Sequence, residues 1–503
     1  MSSPQQALQP ITRQMTHGSS HHDLPASPSN LSALAEFKTF IFGTQPGKFG
    51  RMFRHLSPLD APDAVLIKVG QAMIDGKVTD PQGTDDPAGD NAAIPSGFTY
   101  LGQFIDHDIT FDTTPLPEAA DPQRTQNFRT PRLDLDSVYG VGPTAQPYLY
   151  DRVNPNKFLI GQNAPSADQN GVAIGALPND LPRNVQGFAL IGDPRNDENL
   201  IVAQLHLAMM KFHNKLIDLG RTFEDARREV TWHYQWIVLN EFLPAILDPA
   251  AISKARQSLG RYYFPNHEPY IPIEFAVAAY RLGHSMVRST YDHNRVFGPG
   301  PGRIVNGTLE FLFLFTGLSG SAVPVPSNWV IDWRRFFDIG TAGITVNSSR
   351  KLDAKIAFPL GNLPPGGPDP TKSNLAVRNL LRGKKLGLPS GQSVASKIGV
   401  PRLTAAEIAA GPGGADLAAA GLDAKTPLWY YILREADLKG AGKRLGPVGS
   451  HICAEVFVGL LEGDPNSFLA TDPSWTPTLP AATPGTFKMT DLLTFVGEVN
   501  PIG

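Results

Sequence analysis

The sequence predicts a mainly α-helical protein built as one large domain, and three observations support that prediction. Several segments repeat apolar residues with a period near that of a helix, which is typical of helices packed on a core. Few segments alternate with the period of two that marks strands. The 46 prolines and 48 glycines cut the chain into pieces of medium length, as expected for many helices joined by irregular loops.

The predicted helices follow in chain order. Residues 96–111 come after Pro95 and carry an apolar stripe, and residues 197–219 begin with acidic side chains and end at Gly220, as helix termini prefer. Residues 273–290 are almost all apolar apart from Arg281, His284 and Arg288. We expect helices at residues 96–111, 197–219, 223–247, 273–290, 375–385, 429–438 and 446–462.

The domain organisation follows from composition along the chain. Residues 1–31 are polar and lack the apolar core of a signal peptide, so we predict a disordered tail. Residues 32–503 show no internal repeat and no shift in charge, so we predict one domain. The most apolar run, near residues 309–318, is too short to cross a membrane. The localisation stays open between the cytoplasm and secretion without a signal peptide.

Charge and cysteine content exclude two kinds of protein. The net charge of -3 gives no basic field for nucleic acid. A single cysteine, Cys453, permits no disulfide within the chain. Stability must therefore come from packing, a metal or a cofactor, and the sequence carries no signal for an oligomeric state.

Residues 101–110, Leu-Gly-Gln-Phe-Ile-Asp-His-Asp-Ile-Thr, gather polar groups on an otherwise apolar helix. Gln103 and His107 are four residues apart and share one face with Asp106, whereas Asp108 is turned by about 100° from His107. Two carboxylates that flank a histidine can form a metal site, an acid/base pair or a surface cluster. Because the helix is apolar elsewhere, these groups are expected to be partly buried and to need partners.

Residues 130–140, Thr-Pro-Arg-Leu-Asp-Leu-Asp-Ser-Val-Tyr-Gly, place oxygen-bearing groups two residues apart. Thr130, Arg132, Asp134 and Asp136 alternate along an extended loop, so their oxygens can converge on one cation. Calcium takes about six to eight hard oxygens, which carboxylates, a hydroxyl and carbonyls can supply. A turn with capping aspartates is the alternative.

The segment Gly-Asp-Pro-Arg-Asn-Asp-Glu-Asn at residues 192–199 presents Arg195 and Glu198 at the start of a predicted helix. Taken alone, it reads as an acidic helix N-terminus in which Arg195 makes a salt bridge. His206 and His213 follow within the helix and are read as structural.

Two later segments are also informative. Ala-Tyr-Arg-Leu-Gly-His-Ser-Met at residues 279–286 places His284 after Gly283, and glycine lets a bulky group approach the backbone closely. A lone histidine on an apolar helix is more often a core residue. Residues 374–390 form a basic helix that contains Asn379 and Arg382, for which a solvated face is the plain alternative.

Together, the five segments resemble the animal-type haem peroxidase superfamily, the family of myeloperoxidase and lactoperoxidase, and within it a bacterial-type member. They follow the family order between residues 102 and 389. The resemblance implies haem b held between a distal and a proximal helix, together with bound calcium. On the distal side it implies His107 as acid and base, Arg195 as the group that polarises peroxide, and Gln103 as a holder of water or halide.

The resemblance also assigns the groups that hold the cofactors. His284 would ligate the haem iron, and Asn379 would accept its other ring N–H. Arg281 and Arg382 would bind the propionates, and Asp106 and Glu198 can form ester links to the haem. The implied calcium ligands are Asp108, Thr130, Arg132, Asp134 and Asp136.

The sequence departs from the family pattern at a few positions. Asn199 stands where a sulfonium-linked member has methionine, so no sulfonium bond is expected. Arg132 and Asp136 replace the phenylalanine and serine of better-known members, and calcium binding should survive because the first contact is a carbonyl and the second adds charge. Residues 382–386 read Arg-Gly-Lys-Lys-Leu in place of Arg-Ser-Arg-Asp-His, so the surface near the propionates should differ.

The function implied by the resemblance is that of a haem peroxidase. Its partners would be hydrogen peroxide and a halide or a small organic or phenolic donor, which an oxidised haem would oxidise. A haem-dependent fatty-acid dioxygenase is the first alternative, but such enzymes carry a tyrosine three residues before the proximal histidine, where this chain has Arg281. A non-catalytic binding module and a helical scaffold without cofactor are the others.

Overall fold

The structure is a computed structural model that describes residues 47–77, 85–112, 126–257, 261–265, 269–304, 307–363 and 367–503. Within these residues the mainly α-helical prediction is confirmed, and the strands are short. The predicted tail of residues 1–31 and the start of the predicted domain lie outside the described residues.

The described α-helices lie in this order along the chain: α1 (Asp63–Ala72), α2 (Gly97–Ile109), α3 (Asp136–Tyr139), α4 (Leu200–Asp218), α5 (Phe223–Ile237), α6 (Leu243–Ile246), α7 (Pro249–Arg256), α8 (Ile273–Ala276), α9 (Gly283–Met286), α10 (Leu309–Leu314), α11 (Pro370–Ser373), α12 (Leu375–Lys385), α13 (Gly391–Ile398), α14 (Ala405–Ala409), α15 (Gly414–Ala419), α16 (Leu428–Lys439), α17 (Pro447–Gly463), α18 (Phe468–Thr471) and α19 (Met489–Val496).

The described strands are β1 (Gly47–Gly50), β2 (Asp90–Pro95), β3 (Gln126–Asn127), β4 (Ser166–Ala167), β5 (Ala173–Ile174), β6 (Ile271–Pro272), β7 (Thr290–Tyr291), β8 (Gly307–Thr308) and β9 (Ser348–Arg350). β1 pairs antiparallel with β3 and parallel with β6, with Phe49 opposite Ile271. The antiparallel pairs are β2 with β9, β4 with β5, and β7 with β8. β2 leads directly into α2, so the β2–β9 pair anchors the start of that helix.

Side-chain caps explain where several predicted helices begin. The side chain of Asn199 accepts a hydrogen bond from the backbone N–H of Val202 at the start of α4, and Asn374 caps α12 in the same way. Such caps satisfy backbone donors that have no partner within the helix. α5 continues through a π-helix, Val238–Phe242, into α6, so the helical prediction for residues 223–247 is confirmed as one run.

The prediction of one helix over residues 273–290 is wrong. The segment contains α8, a 3-10 helix at Ala279–Leu282 and α9, and ends in β7. Nε of Arg281 donates to the carbonyl of Ala276 at 3.1 Å, and Arg281 itself has non-helical dihedrals. Apolar periodicity indicates which residues are buried. Here the helix is interrupted where the Arg281 side chain donates to the main-chain carbonyl of Ala276.

The core is organised around helices that meet near α2. α2 packs against α4 on one side and against α9 on another. α17 is buried around its whole circumference, which fits a helix whose residues are apolar on all faces. α12 packs against α1 and α16, so the segments singled out by the sequence come together inside the molecule.

Among the described residues, no helix is both long enough and apolar enough to cross a membrane.

Candidate active site

A cavity lies between α2 and the 279–286 segment. Its lining includes eight of the nine distal and cofactor-binding residues that the sequence predicted: Gln103, Asp106, His107, Arg195, Glu198, Arg281, His284 and Arg382. The ninth, Asn379, lies behind His284 at hydrogen-bond distance. Segments almost 280 residues apart in sequence therefore supply one site.

The distal wall is formed by α2. Gln103, Asp106 and His107 line the cavity, as their helical spacing predicts. The side chain of His107 is buried, and its Nδ1 lies 2.8 Å from Oδ1 of Asn196. An amide oxygen only accepts hydrogen bonds, so Nδ1 carries the ring proton and Nε2 of neutral His107 keeps its lone pair.

Arg195 lines the cavity but is firmly held. Its Nη2 donates to the carbonyl of His107 at 3.1 Å and to Oδ2 of Asp193 at 2.8 Å, and its Nε donates to Oδ1 of Asp193 at 3.1 Å. Burial opposes ionisation of Asp193, but Arg129 and Arg195 hold the pKa of that carboxyl well below its usual range. The guanidinium therefore has a fixed position beside the last turn of α2.

The other distal groups also have defined partners. Nδ2 of Asn199 donates to Oε1 of Gln103 at 2.9 Å, so the residue found in place of methionine orients the predicted holder of water or halide. Thr110 Oγ1 donates to Oδ1 of Asp106 at 2.9 Å. Glu198 is buried and borders the same cavity.

The proximal wall centres on His284. Nδ2 of Asn379 lies 2.7 Å from Nδ1 of His284, while Oδ1 of Asn379 accepts from Nη1 of Arg281 at 3.0 Å. The sequence predicted an acceptor for the ring N–H of His284, and the structure turns the amide nitrogen there instead. The reason is that a guanidinium can only donate, so Arg281 draws the amide oxygen.

Buried guanidinium groups at one end of the cavity give a test of the haem expectation. Arg382 pairs with Asp112, and its Nη1 is buried without a hydrogen-bond partner among the described residues. Burial lowers the pKa of Arg281, and Arg382 lowers it further. Burial and then Arg281 lower the pKa of Arg378 to about 10. Neighbouring buried guanidinium groups, one of them with an unpaired Nη1, fit the carboxylates of a haem.

Gly283 provides a second test. A Cβ added to Gly283 would meet no described atom within 4 Å, and the residue lines the cavity. The space beside its backbone therefore belongs to the cavity, next to the histidine expected to bind iron. The residues present fit a flat group lying between His107 and His284.

Behind the distal wall lies a cluster of acidic side chains. Asp108, Asp134 and Asp136 bring carboxylate oxygens within 4.8 Å of one another. Burial raises the pKa of Asp108 well above its usual range, and the other two aspartates raise it further. Burial and then Asp136 raise the pKa of Asp134 to about 7. Asp108 is buried and the other two are partly buried, and like charges in such proximity repel unless a cation lies among them.

The remaining predicted calcium ligands surround this cluster. Thr130 Oγ1 lies 2.9 and 2.8 Å from the two carboxylate oxygens of Asp134. Nε of Arg132 lies 3.9 Å from Asp464, so its side chain forms an ion pair apart from the cluster, as expected for a residue that would offer only its carbonyl. Leu135 has a φ of 57°, an uncommon conformation for leucine, between the two loop aspartates.

Sequence reasoning missed the groups that support the two histidines. Asn196 follows Arg195 directly, and no pattern distinguished it from a residue of an acidic helix start. His206 was read as structural, yet its Nδ1 lies 2.9 Å from Nδ2 of Asn196. Trp429 also went unnoticed, although its ring lies 6.4 Å from that of His284 and its Nε1 donates to the carbonyl of Arg281. Such supporting residues could be predicted by looking for polar side chains that are expected to be buried next to a candidate histidine.

Comparison with known proteins places these features in a family. A profile of the animal haem peroxidase family matches residues 113–465. The chain belongs to the animal haem peroxidase family, whose members bind haem.

Relatives in this family are distant. Thyroid peroxidase of Canis lupus familiaris is 26% identical over 391 residues, which is 69% of this chain and 38% of that protein. A peroxidase-like protein of Margaritifera margaritifera is 26% identical over 58% of this chain and 44% of its own length. Chorion peroxidase of Drosophila melanogaster is 28% identical over 42% of this chain and 26% of its own length. The chain thus spans less than half the length of these relatives.

Solved structures share the fold. Peroxidase A from Dictyostelium discoideum superposes with a TM-score of 0.62 at 16% identity, over 91% of this chain and 94% of that chain. A fatty acid alpha-dioxygenase of Oryza sativa gives a TM-score of 0.57 at 16% identity, over 91% of this chain and 80% of that chain. At these identities the likeness concerns the fold alone.

Proposed function

We propose that this chain is a haem peroxidase that reduces hydrogen peroxide and oxidises a halide or a small organic or phenolic donor. The observation that carries the proposal is that His107, on α2, and His284, on the 279–286 segment, are both buried and line one cavity. Two buried histidines from different elements at one cavity are what ligation of a haem iron by one and proton transfer by the other require.

In this proposal the proximal residues hold the haem. His284 ligates the iron through Nε2, and Arg281 and Arg382 bind the propionates. Ligation with a proton on Nδ1 needs the oxygen of Asn379 to face the ring. Rotation of that amide becomes favourable when Arg281 turns from Asn379 to a carboxylate. Asp106 and Glu198, which border the cavity, are the groups that can form esters.

The bound haem supplies the iron at which the peroxide O–O bond is cleaved. Nε2 of His107 accepts one proton from hydrogen peroxide and returns it to the departing oxygen, which leaves as water. This shuttle needs neutral His107 with its lone pair on Nε2, the form that the contact with Asn196 supports. The fixed charge of Arg195 beside the distal wall offsets negative charge that develops on the oxygens.

We also propose that calcium binds among Asp108, Asp134 and Asp136, with Thr130 and the carbonyl of Arg132. The support is the approach within 4.8 Å of three carboxylates, one buried and two partly buried, a donor set of hard oxygens that suits calcium. Asp108 follows His107 on α2, so the ion would hold the catalytic helix by a different face.

The proposal is tested with protein produced with a haem precursor and calcium. We expect a Soret band that shifts on addition of peroxide, and His284→Ala should lose the band while the exposed His55→Ala retains it. Haem that resists acid-organic extraction after peroxide would support the esters, whereas full activity with extractable haem would reject them. Protein that binds no haem would overturn the proposal and leave a binding module or scaffold.

A fatty-acid dioxygenase is the competing activity, and one observation favours keeping it in the test. Tyr280 lines the cavity, and its hydroxyl donates to the carbonyl of Gly102 at 3.1 Å. The same purified protein is therefore mixed with a long-chain fatty acid in an oxygen electrode. Rapid oxygen uptake that Tyr280→Phe removes would replace the peroxidase proposal, and we expect no such uptake.

A further inference from the structure

A buried polar chain lies behind the distal histidine. Nδ1 of His107 lies 2.8 Å from Oδ1 of Asn196, and Nδ2 of Asn196 lies 2.9 Å from Nδ1 of His206. Asn196 and His206 are completely buried. Water therefore does not compete for these contacts, and each hydrogen bond has one available direction.

The direction of the chain follows from which atoms can donate. The amide nitrogen of Asn196 only donates, so Nδ1 of His206 must accept and be without a proton. The amide oxygen then faces His107 and accepts from Nδ1. In this tautomer the lone pair of the His107 ring lies on Nε2, the atom from which a proton shuttle works.

His206 suits the role of the fixed end. Burial lowers its pKa to about 3, so the ring stays neutral over the usual pH range and can keep Nδ1 unprotonated, as the contact with the amide nitrogen of Asn196 requires. It belongs to α4, which packs on α2, and its ring meets that of Phe104 edge to face at 6.2 Å. A packed ring in this tautomer gives the amide of Asn196 one preferred orientation.

We propose that Asn196, held by His206, is a positioning residue that sets the proton of His107 on Nδ1 and so readies Nε2 to accept a proton from a ligand of the haem. This inference rests on the proposed function, because it assigns a task to His107. It gives a role at the site to two residues to which the sequence motifs assigned none. Neither residue touches the reacting atoms.

The proximal side offers an internal contrast. An asparagine also contacts Nδ1 of His284, but the group behind Asn379 is the cation Arg281, which turns the amide nitrogen toward the ring. The same side chain thus has opposite orientations beside the two histidines, because one is backed by an acceptor and the other by a donor. The orientation of Asn196 is therefore expected to depend on His206.

The test uses the haem-loaded, calcium-loaded protein and three variants: Asn196→Ala, Asn196→Asp and His206→Leu. The first readout is the second-order rate of reaction with hydrogen peroxide, separated by stopped flow from the later oxidation of the donor. The second is the association rate of cyanide, followed by the Soret shift, since hydrogen cyanide must also give up its proton to bind as cyanide. This second readout does not depend on turnover.

We expect Asn196→Ala to slow both reactions by about 10- to 100-fold, with the rate of donor oxidation unchanged. Asn196→Asp, which still accepts from Nδ1, should restore most of both rates. His206→Leu should slow both, whereas His213→Leu, two turns along the same buried face of α4, should not. In a His107→Ala background, Asn196→Ala should have no additional effect, because it acts through His107.

Two results would overturn the proposal. Peroxide and cyanide rates of Asn196→Ala within twofold of the parent chain would show that His107 needs no positioning, and so would additive losses in the His107→Ala background. If Asn196→Ala does not fold, His206→Leu and Asn196→Asp give the same decision. A parent chain that binds haem but reacts with neither ligand would instead contradict the proposed function.

Discussion

At the scale of single residues, the cavity separates proton transfer from ligation. His107 carries out the first task in our proposal and His284 the second. His107→Ala should therefore slow the reaction with peroxide by about 10²- to 10⁴-fold while the Soret band remains, as measured by stopped-flow spectroscopy. His55→Ala, an exposed change, serves as the control. A near-normal rate in His107→Ala would remove this histidine from the mechanism.

Asn199 has two separable tasks. Its Oδ1 caps α4 and its Nδ2 holds Gln103. Asn199→Ser keeps an acceptor for the cap but loses the donor to Gln103, so stability to urea should change little while fluoride affinity of the haem-loaded protein changes. Asn199→Ala should also lose about 1 kcal/mol of stability with the cap. Unchanged fluoride affinity in both variants would show that Gln103 needs no such support.

The role of a residue could be predicted from the sequence only where that residue belongs to a recognisable motif. His107, His284 and the acidic loop were found because their motifs resemble those of the haem peroxidase family, in the family order. Asn196 and His206 were missed because their role depends on a contact between segments that only the fold brings together. The present orientation of the Asn379 amide could not be predicted for a similar reason, since Arg281 reaches it from another helix.

At the scale of elements, α2 presents consecutive residues to two sites. His107 faces the cavity, and Asp108 faces the acidic cluster on a different side of the helix, where it accepts from Ser137 Oγ at 3.1 Å. Helix geometry turns neighbours by about 100°, which makes this division possible. A change at the acidic cluster should therefore reach the distal wall through one rigid turn.

Removal of calcium is expected to destabilise the fold and slow the peroxide reaction. An ion present at 100 times its Kd would add about 2.7 kcal/mol to the free energy of unfolding. The measurement is urea denaturation with calcium or with a chelator, paired with stopped flow.

Asp134→Asn is the specific variant for this prediction, and Asp60→Asn, an exposed change, is its control. Asp134→Asn should abolish the increase in stability on addition of calcium, whereas Asp60→Asn should retain it. Equal stability of the parent chain with and without calcium would contradict the proposed ion site.

Element boundaries show what periodicity can and cannot give. α12 begins and ends as predicted because Asn374 caps a helix of favourable residues. The broken run at residues 273–290 was not foreseen, because the guanidinium of Arg281 competes for a carbonyl that the helix would otherwise use. A local pattern reports which face is buried, whereas breaks depend on individual side chains.

At the scale of the whole molecule, buried neutral histidines couple stability to pH. Burial lowers the pKa of His213 and of His293 to about 4. As the pH falls below about 6.5, these histidines bind protons in the unfolded chain but remain neutral in the folded chain. The free energy of unfolding therefore decreases between about pH 6.5 and pH 4. Each histidine contributes a slope of about 1.4 kcal/mol per pH unit.

This coupling is measured by urea denaturation between pH 6.5 and 4. The free energy of unfolding of His213→Leu should change less with pH than that of the parent chain, and the slope should fall by about the contribution of one histidine, about 1.4 kcal/mol per pH unit. Leu216→Ala, a buried change in the same helix, should lower stability by the same amount at every pH. Identical slopes for His213→Leu and the parent chain would show that His213 is protonated in the folded protein.

The π-helix at Val238–Phe242 has a consequence for comparing genes. A π turn holds about one residue more than an α-helical turn, so this stretch accommodates one additional residue without a loop. A homologue without it would show a one-codon gap inside a helix. Deleting one codon here would rotate everything after it by about 100° and carry Phe242 away from the cavity it lines. Such a deletion would therefore test the orientation of the side chains about the helix axis rather than the length of the helix.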